Sequence, residues 1–264
     1  MTNISIIIPN YNGAKYLALC LKHLHIAIRN YPKSNFEIII VDNGSSDKSL
    51  KLAKKYLLIK NSKNLGFATA VNQGIIAAKY DYVCLLNNDV NLDKNWFKII
   101  VKNIQKHPKI ACFCGTVLSG DGTQVESRGI SFDWSGKCVQ NLATYKTPTL
   151  VWGSSGAVVV YHKNILSAIG LFDQHYFAYI EDVDVAFRLQ KGGYQTLLVP
   201  EAFVYHLGGA TSNKMGNFRA KQTFKNWIYF ILKNYSIVEI FLNFPKIFIE
   251  RLRNFSYLIK STIC

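Results

Sequence analysis

The chain has 264 residues, 49% of them hydrophobic, enough for one large core or a core with an appendage. Its 31 Lys and Arg against 16 Asp and Glu leave a net charge of +15. That surplus fits an anionic partner (nucleotide phosphates, nucleic acid or an anionic membrane) or a plain excess of solvated lysines. No run reaches the roughly 18 unbroken apolar residues of a spanning helix. The apolar run 4–8 is cut off by Pro9, too short for the core of a secretory signal.

Residues 4–9 are apolar and β-branched and read as a buried strand, with a turn at 10–13. Residues 14–29 carry Leu17, Leu21, Leu24 and Ile28 at helical spacing. A second buried strand, 36–41, ends in Asp42-Asn43-Gly44-Ser45-Ser46-Asp47, where Ser46 or Asp47 can cap a helix over 48–55. A short strand at 56–60 precedes Asn64-Leu65-Gly66-Phe67 and a helix through 79. The apolar run 82–86 stops abruptly at Asn87-Asn88-Asp89, as a buried strand does when its end surfaces at the carboxyl edge of a sheet. Strands alternating with helices imply right-handed βαβ units and an α/β fold with a mainly parallel sheet flanked by helices.

A helix over 94–106 is stopped by Pro108, and a strand follows at 110–118. Residues 119–149 are polar and Gly-rich and read as loops and short strands. The strand 150–160 is interrupted at Gly153-Ser154-Ser155-Gly156, where backbone can approach a ligand, so Trp152 and Gly153 are assigned to acceptor binding. A short helix at 164–169, an aromatic loop at 172–180 and a helix at 181–191 precede two strands, 194–199 and 202–206, around Pro200-Glu201. After Gly216 the composition changes. Phe224, Trp227, Ile228, Ile231, Leu232 and Tyr235 form one helical stripe, and 237–244 and 247–258 continue with large apolar residues. From Lys214 onward nine Lys and Arg face only Glu239 and Glu250, so this amphipathic helical tail either lies on an anionic membrane or packs on the domain before it.

Six cysteines stand at 20, 84, 112, 114, 138 and 264, with no zinc spacing, as in a reduced, cytosolic chain. Three strand ends carry polar groups: Asn10-Tyr11-Asn12, Asp42-Asn43 and Asn87-Asn88-Asp89. Parallel topology gathers them on one edge, where open α/β sheets bind ligands. A carboxylate such as Asp89 there suits Mg²⁺ or Mn²⁺, which keeps places for phosphate oxygens. Asp42 can accept the imide N–H of a uracil or thymine ring. Asn64 and Gly66 open a helix, a place for phosphate or sugar groups. Singly, each of these is equally a cap, a turn or a packing glycine; their joint placement makes the site.

These blocks resemble the family 2 glycosyltransferases, which have a GT-A fold. The resemblance rests on Ile4-Ser5-Ile6-Ile7-Ile8-Pro9-Asn10-Tyr11-Asn12, Val41-Asp42-Asn43-Gly44-Ser45-Ser46-Asp47, Asn64-Leu65-Gly66-Phe67 and Leu85-Leu86-Asn87-Asn88-Asp89-Val90. It continues through Gly170-Leu171-Phe172-Asp173, Tyr176-Phe177, Tyr179-Ile180-Glu181-Asp182-Val183-Asp184, Arg188, and His206 with Gly209 and Ser212. Within the family the chain is most similar to bacterial rhamnosyltransferases of surface-polysaccharide assembly.

The resemblance implies a catalytic domain over 1–212, with a nucleotide-binding half at 1–115 and an acceptor-side half at 116–212. Residues 213–264, beyond the resemblance, are the C-terminal helical region that either associates with a membrane or packs on that domain. It implies donor binding by Pro9, Asn10, Tyr11, Asp42, Asn43, Asn64, Gly66, Asn87 and Asn88, with Asp42 on the base. Asp182 matches the catalytic base. Asp89 matches the last residue of a metal-binding Asp-X-Asp, and His206 a histidine of the metal shell. Asn87 stands where that motif has its first carboxylate, so a divalent cation would lean on a single carboxylate, a neutral imidazole and the donor diphosphate. Glu181 is assigned to the acceptor. The implied reaction is inverting transfer of a sugar, L-rhamnose from dTDP-L-rhamnose or a sugar from a UDP donor, to a saccharide or lipid-linked acceptor. The implied place is the cytoplasmic face of the membrane. A catalytically silent nucleotide- or glycan-binding protein is the reading from another class. At its helix N-terminus Asp182 is expected to stay ionised with a low pKa, while Asp184 and Arg188 at i,i+4 read as a structural pair.

Overall fold

Apolar strands buried on both faces need helices on both sides, and this chain supplies them. The computed structural model describes residues 2–208 and 217–263. Gly209, Ser212 and the expected 212/213 boundary lie outside the described residues. In the first part β1 (Ile4–Asn10), α1 (Ala14–Arg29), β2 (Phe36–Asp42), α2 (Ser49–Ala53), β3 (Leu57–Lys60), α3 (Phe67–Ala77) and β4 (Tyr82–Leu86) alternate as their sequence pattern demands. Then come β5 (Val90–Leu92), α4 (Trp96–Lys106), β6 (Cys112–Ser119), β7 (Val125–Ser127), β8 (Ile130–Asp133), β9 (Lys137–Gln140) and β10 (Thr149–Val151). The described chain closes with β11 (Val158–His162), α5 (Lys163–Ala168), α6 (Glu181–Lys191), β12 (Thr196–His206), α7 (Asn217–Asn234) and α8 (Ile237–Ile263).

The main sheet runs β10-β12-β6-β11-β4-β1-β2-β3. Along it β3, β2, β1 and β4 pair in parallel, β11 is inserted antiparallel, and β6 and β12 return to the first direction. The sheet is continuous across the expected 115/116 division, which falls inside β6. In β1, Ile4, Ile6 and Ile8 face α1 and α4 residues such as Leu17, Leu24, Phe97 and Ile100, while Ile7 faces Val71 and Ile75 of α3. The two strands expected around Pro200-Glu201 are one strand, β12, whose register shifts between Leu198 and Phe203. A proline, with no N–H to give, is tolerated at such an irregularity.

The tail divides. Trp227, Phe230 and Ile231 of α7, with Tyr235 just beyond its end, are buried against Val183, Ala186 and Phe187 of α6. Each such side chain contributes about 1.5–3 kcal/mol when fully buried, so α7 belongs to the core. Ile228 and Leu232, read from spacing into the same stripe, are exposed, and Phe230 takes their place inward. The helix α8 runs unbroken through Pro245. Its inner face rests on α7, where the Arg251 guanidinium lies 5.1 Å from the Trp227 ring centroid. Its outer face leaves Ile237 (87% exposed), Phe241 (79%) and Leu242 (71%) in solvent.

Candidate active site

The carboxyl ends of the parallel strands open into a cavity of about 610 Å³. Its wall includes Pro9, Asn10, Tyr11, Asn43, Asn64, Asn87, Asn88, Asp89, Glu181, Asp182 and His206. An amide relay joins the three strand ends. Asn88 Nδ2 donates to Asn10 Oδ1 at 2.8 Å, and Asn10 Nδ2 donates to Asp42 Oδ1 at 3.2 Å. Asn43 holds the next loop: its Nδ2 donates to Asn64 Oδ1 at 2.9 Å, and its Oδ1 accepts from Asn61 and Leu65.

Several expected contact residues sit behind that wall. Asp42 is fully buried, with Oδ2 accepting the Ser45 N–H at 3.0 Å, so it orders Asn10 and the 42–45 loop rather than facing the cavity. Gly66 has φ +89 and abuts the Phe177 carbonyl, which a Cβ would approach to 2.6 Å; it is a close-packing glycine, and Phe67 beside it lines the cavity. Trp152 stacks on Phe132 with centroids 4.6 Å apart, away from the cavity. Gly153 packs against Ala186 of α6, where a Cβ would come within 2.5 Å. The interrupted stretch does reach the cavity, but through Ser155, Gly156 and Ala157.

Asp182, in the first turn of α6, accepts the Gly156 N–H at 3.0 Å through Oδ2 and the Val183 N–H at 2.9 Å through Oδ1. Burial pushes its carboxyl above the ordinary range, although those N–H groups pull the other way. This corrects the expectation of a low pKa from the helix terminus: desolvation outweighs the dipole. Glu181 is 8% exposed, and its Oε2 has no hydrogen-bond partner in the protein. Burial first, then the neighbouring Asp182 charge, raises its carboxyl to about 8. Asp184 is the structural group of the three. Fully buried, it meets Arg188 Nη2 at 2.7 Å, Lys233 Nζ at 2.9 Å and Asn234 Nδ2 at 2.9 Å, tying α6 to α7.

Also lining the cavity, His206 Nε2 lies 3.6 Å from Asp89 Oδ2, and its Nδ1 is 2.7 Å from Glu126 Oε2. The pairing of β5 with the end of β12 sets this meeting, Val90 opposite His206. Asp89 first, then Glu126, raises the imidazole to about 9. The neutral ring expected from sequence is therefore a protonated one when no cation shares the site. Among the described residues no group of three or more His, Cys, Asp or Glu side chains is gathered closely enough to hold a metal alone. One carboxylate oxygen and one imidazole nitrogen still fit a cation whose remaining ligands are phosphate oxygens, as for Mn²⁺ or Mg²⁺. Glu126 was not legible in the sequence, because its stretch has neither periodicity nor motif; only the β6–β7 pairing brings it to His206.

Known proteins share this architecture. Poly-beta-1,6-N-acetyl-D-glucosamine synthase of Staphylococcus aureus (strain COL) is 25% identical over 215 residues, 78% of this chain and 50% of its own. The chain thus spans about half the length of the curated relatives it matches. GalNAc-T7, solved with UDP, GalNAc and Mn²⁺, superposes with a TM-score of 0.69 at 20% identity, over 88% of this chain and 48% of that one. S. aureus TarS 1-349 in complex with UDP-GlcNAc gives 0.65 at 18% identity, over 89% of this chain and 68% of that one. At those identities the likeness is one of fold, the GT-A fold. The model of glycosyl transferase family 2 matches residues 5–170, which include most of the sheet and its strand-end residues, and the chain belongs to that family.

Proposed function

We propose that the chain transfers a sugar from a nucleoside diphosphate donor to a saccharide or lipid-linked acceptor, inverting the anomeric carbon. The observation that carries this is one cavity lined both by Asp182 and by the Asp89–His206 pair. Displacement at an anomeric carbon passes through an oxocarbenium-like state. The acceptor hydroxyl must lose its proton to a carboxylate within reach, and Asp182 is tethered there by two N–H groups. Burial, which raises its pKa, makes it a stronger proton acceptor than an ordinary carboxylate. Glu181, protonated and with an unpartnered Oε2, is placed to hydrogen-bond an acceptor hydroxyl. Asn10, Tyr11, Asn43, Asn64 and Asn88 line the donor side, supplied by residues 1–115, while 116–212 bring the acceptor side. Direct base recognition by Asp42 requires the loop around Ser45 to part, since its carboxylate is enclosed.

Asp89 and His206 would hold a divalent cation, which would neutralise charge growing on the departing diphosphate. His206 would have to be neutral to join such a site, and Glu126, 2.7 Å from its Nδ1, would keep the ring oriented. The preferred donor is a UDP-sugar, in line with the UDP and UDP-GlcNAc named for the two solved neighbours. The dTDP-L-rhamnose reading rests on motif resemblance alone. A role in polysaccharide synthesis follows the S. aureus relative, a poly-beta-1,6-N-acetyl-D-glucosamine synthase by name.

Membrane contact, which the sequence put on the whole tail, belongs to α8. No helix among the described residues is long and apolar enough to cross a bilayer. The outer face of α8 joins exposed Phe241, Phe244, Phe248, Leu252 and Phe255 to Lys246, Arg253 and Lys260 at seven-residue steps. That arrangement suits a helix lying in an anionic interface.

Purified protein incubated with a nucleotide-sugar panel, read by diphosphate release with and without chelator, tests the proposal. Turnover of UDP-GlcNAc or another UDP-sugar that chelator abolishes is expected. Turnover of dTDP-L-rhamnose alone restores the rhamnosyl reading. Binding without any turnover leaves a nucleotide-binding protein and overturns the enzyme.

A further inference from the structure

Asn226 lies in the middle of α7 and is 1% exposed. Asn is a poor helix former, and a buried amide must find partners. Its partners are in another element. Asn226 Nδ2 donates to the carbonyl of Ala178 at 2.9 Å and to that of Tyr179 at 2.7 Å. Gln222 Nε2, one turn earlier, donates to Asn226 Oδ1 at 3.2 Å and orients the amide. The carbonyl of Phe177 accepts the Phe67 N–H at 2.6 Å. Three successive carbonyls are thus held from outside their own loop, one by α3 and two by α7.

The loop needs holding. Tyr179 (φ 70) and Ile180 (φ 72) are consecutive left-handed residues. L side chains rarely adopt that region, and a β-branched one least of all. Ile180 caps α6, and its carbonyl accepts the Asp184 N–H at 2.9 Å. The two left-handed residues therefore set the angle at which α6 begins. Asp182 sits two residues on, and its reach to the Gly156 N–H depends on that angle.

We propose that Asn226 is a positioning residue for Asp182. Its amide clamps the strained 178–180 turn, and the clamp aims the first turn of α6 into the cavity. This rests on Asp182 being the base. The two ideas separate in the test, because the clamp has a readout that needs no turnover.

In the full chain, Asn226→Asp keeps the shape but turns a carboxylate oxygen on two carbonyls, and Asn226→Ala removes the clamp. Hydrogen exchange of peptides covering 177–185 should quicken in both, with β1 and α1 peptides unchanged. With UDP-GlcNAc, or whichever panel sugar is turned over, kcat should fall about 10- to 100-fold, the cost of a misplaced catalytic group. Donor KM and the calorimetric Kd for UDP should stay within about twofold, since the donor-side wall is untouched. Adding Ile180→Gly to Asn226→Ala should restore part of both exchange protection and kcat, because glycine accepts positive φ without strain. A purely structural Asn226 predicts further loss instead. Gln222→Leu, which leaves Asn226 in place but frees its amide, should give a smaller loss of the same kind and serves if Asn226→Ala does not fold. Unchanged exchange at 177–185, unchanged kcat despite faster exchange, or no rescue by Ile180→Gly overturns the proposal. A wild-type chain that turns over no nucleotide sugar removes the base assignment. Exchange and its rescue then decide the clamp alone.

Discussion

Replacing Asp182 by Asn tests the mechanism most directly. The carboxylate takes N–H groups on both oxygens, Gly156 at 3.0 Å and Val183 at 2.9 Å. An amide oxygen can keep one of them, and its NH₂ then meets the other as a second donor. Losing a hydrogen bond to a charged group costs about 1.5–3 kcal/mol. Removing a carboxylate that burial already disfavours offsets most of that. The Asn variant should therefore fold with a stability within about 1 kcal/mol of the parent at neutral pH, a shift small on the usual mutational scale. Turnover is another matter. Without a proton acceptor kcat should fall about 10²- to 10⁴-fold, or about 2.7–5.5 kcal/mol of transition-state stabilisation at 1.36 kcal/mol per decade. Steady-state diphosphate release gives kcat, calorimetry the Kd for UDP, and thermal unfolding the stability. In the parent, kcat should rise with pH through a limb lying above the ordinary Asp value of 3.8, because the raised base must first ionise; the variant should lack it. An Asp182→Asn enzyme with parental kcat, or a product that keeps the donor's anomeric configuration, rules out Asp182 as the base of an inverting displacement.

Asp89→Ala should abolish turnover and the cation dependence of UDP binding by calorimetry, whereas full parental activity in excess chelator would remove the cation from the scheme. Glu181 holds its proton more tightly folded (about 8) than unfolded (4.5), so parental stability should fall as pH rises between those values. Glu181→Gln, with no proton to lose, should flatten that part of the stability–pH curve in urea titrations; parallel curves would mean the carboxyl is solvated. Asp184→Ala leaves Arg188 and Lys233 without their buried partner and should cost about 3–5 kcal/mol in urea unfolding. Paired Phe241→Ser and Phe248→Ser changes on α8 should reduce co-sedimentation with anionic vesicles without altering turnover of soluble substrates. Equal binding of parent and variant would disconnect that face from lipid.

The alternation of strands and helices was legible in the sequence, because period and apolar content are local properties: α1, β4 and α6 fall where their patterns place them. Parallel topology also forces strand ends onto one edge, which brings Asn10, Asn88 and Asp89 to one cavity; Asp182, in the first turn of α6, was placed there only by the family resemblance. Whatever depends on partners far away in the chain was not legible there. Asp42, Gly66, Trp152 and Gly153 look like ligand contacts by motif or spacing, yet packing by Ser45, Phe177, Phe132 and Ala186 takes them off the cavity wall. Glu126 reaches His206 only through strand pairing, and Asn226 reaches Ala178 and Tyr179 only because α7 packs on α6. A lone Asn inside the apolar stripe of α7 was the signal for the latter, a buried polar group in need of a partner. The pKa values of Asp182 and His206 moved against sequence expectation for the same reason: ionisation depends on burial and on through-space charge, neither of which is written in neighbouring residues.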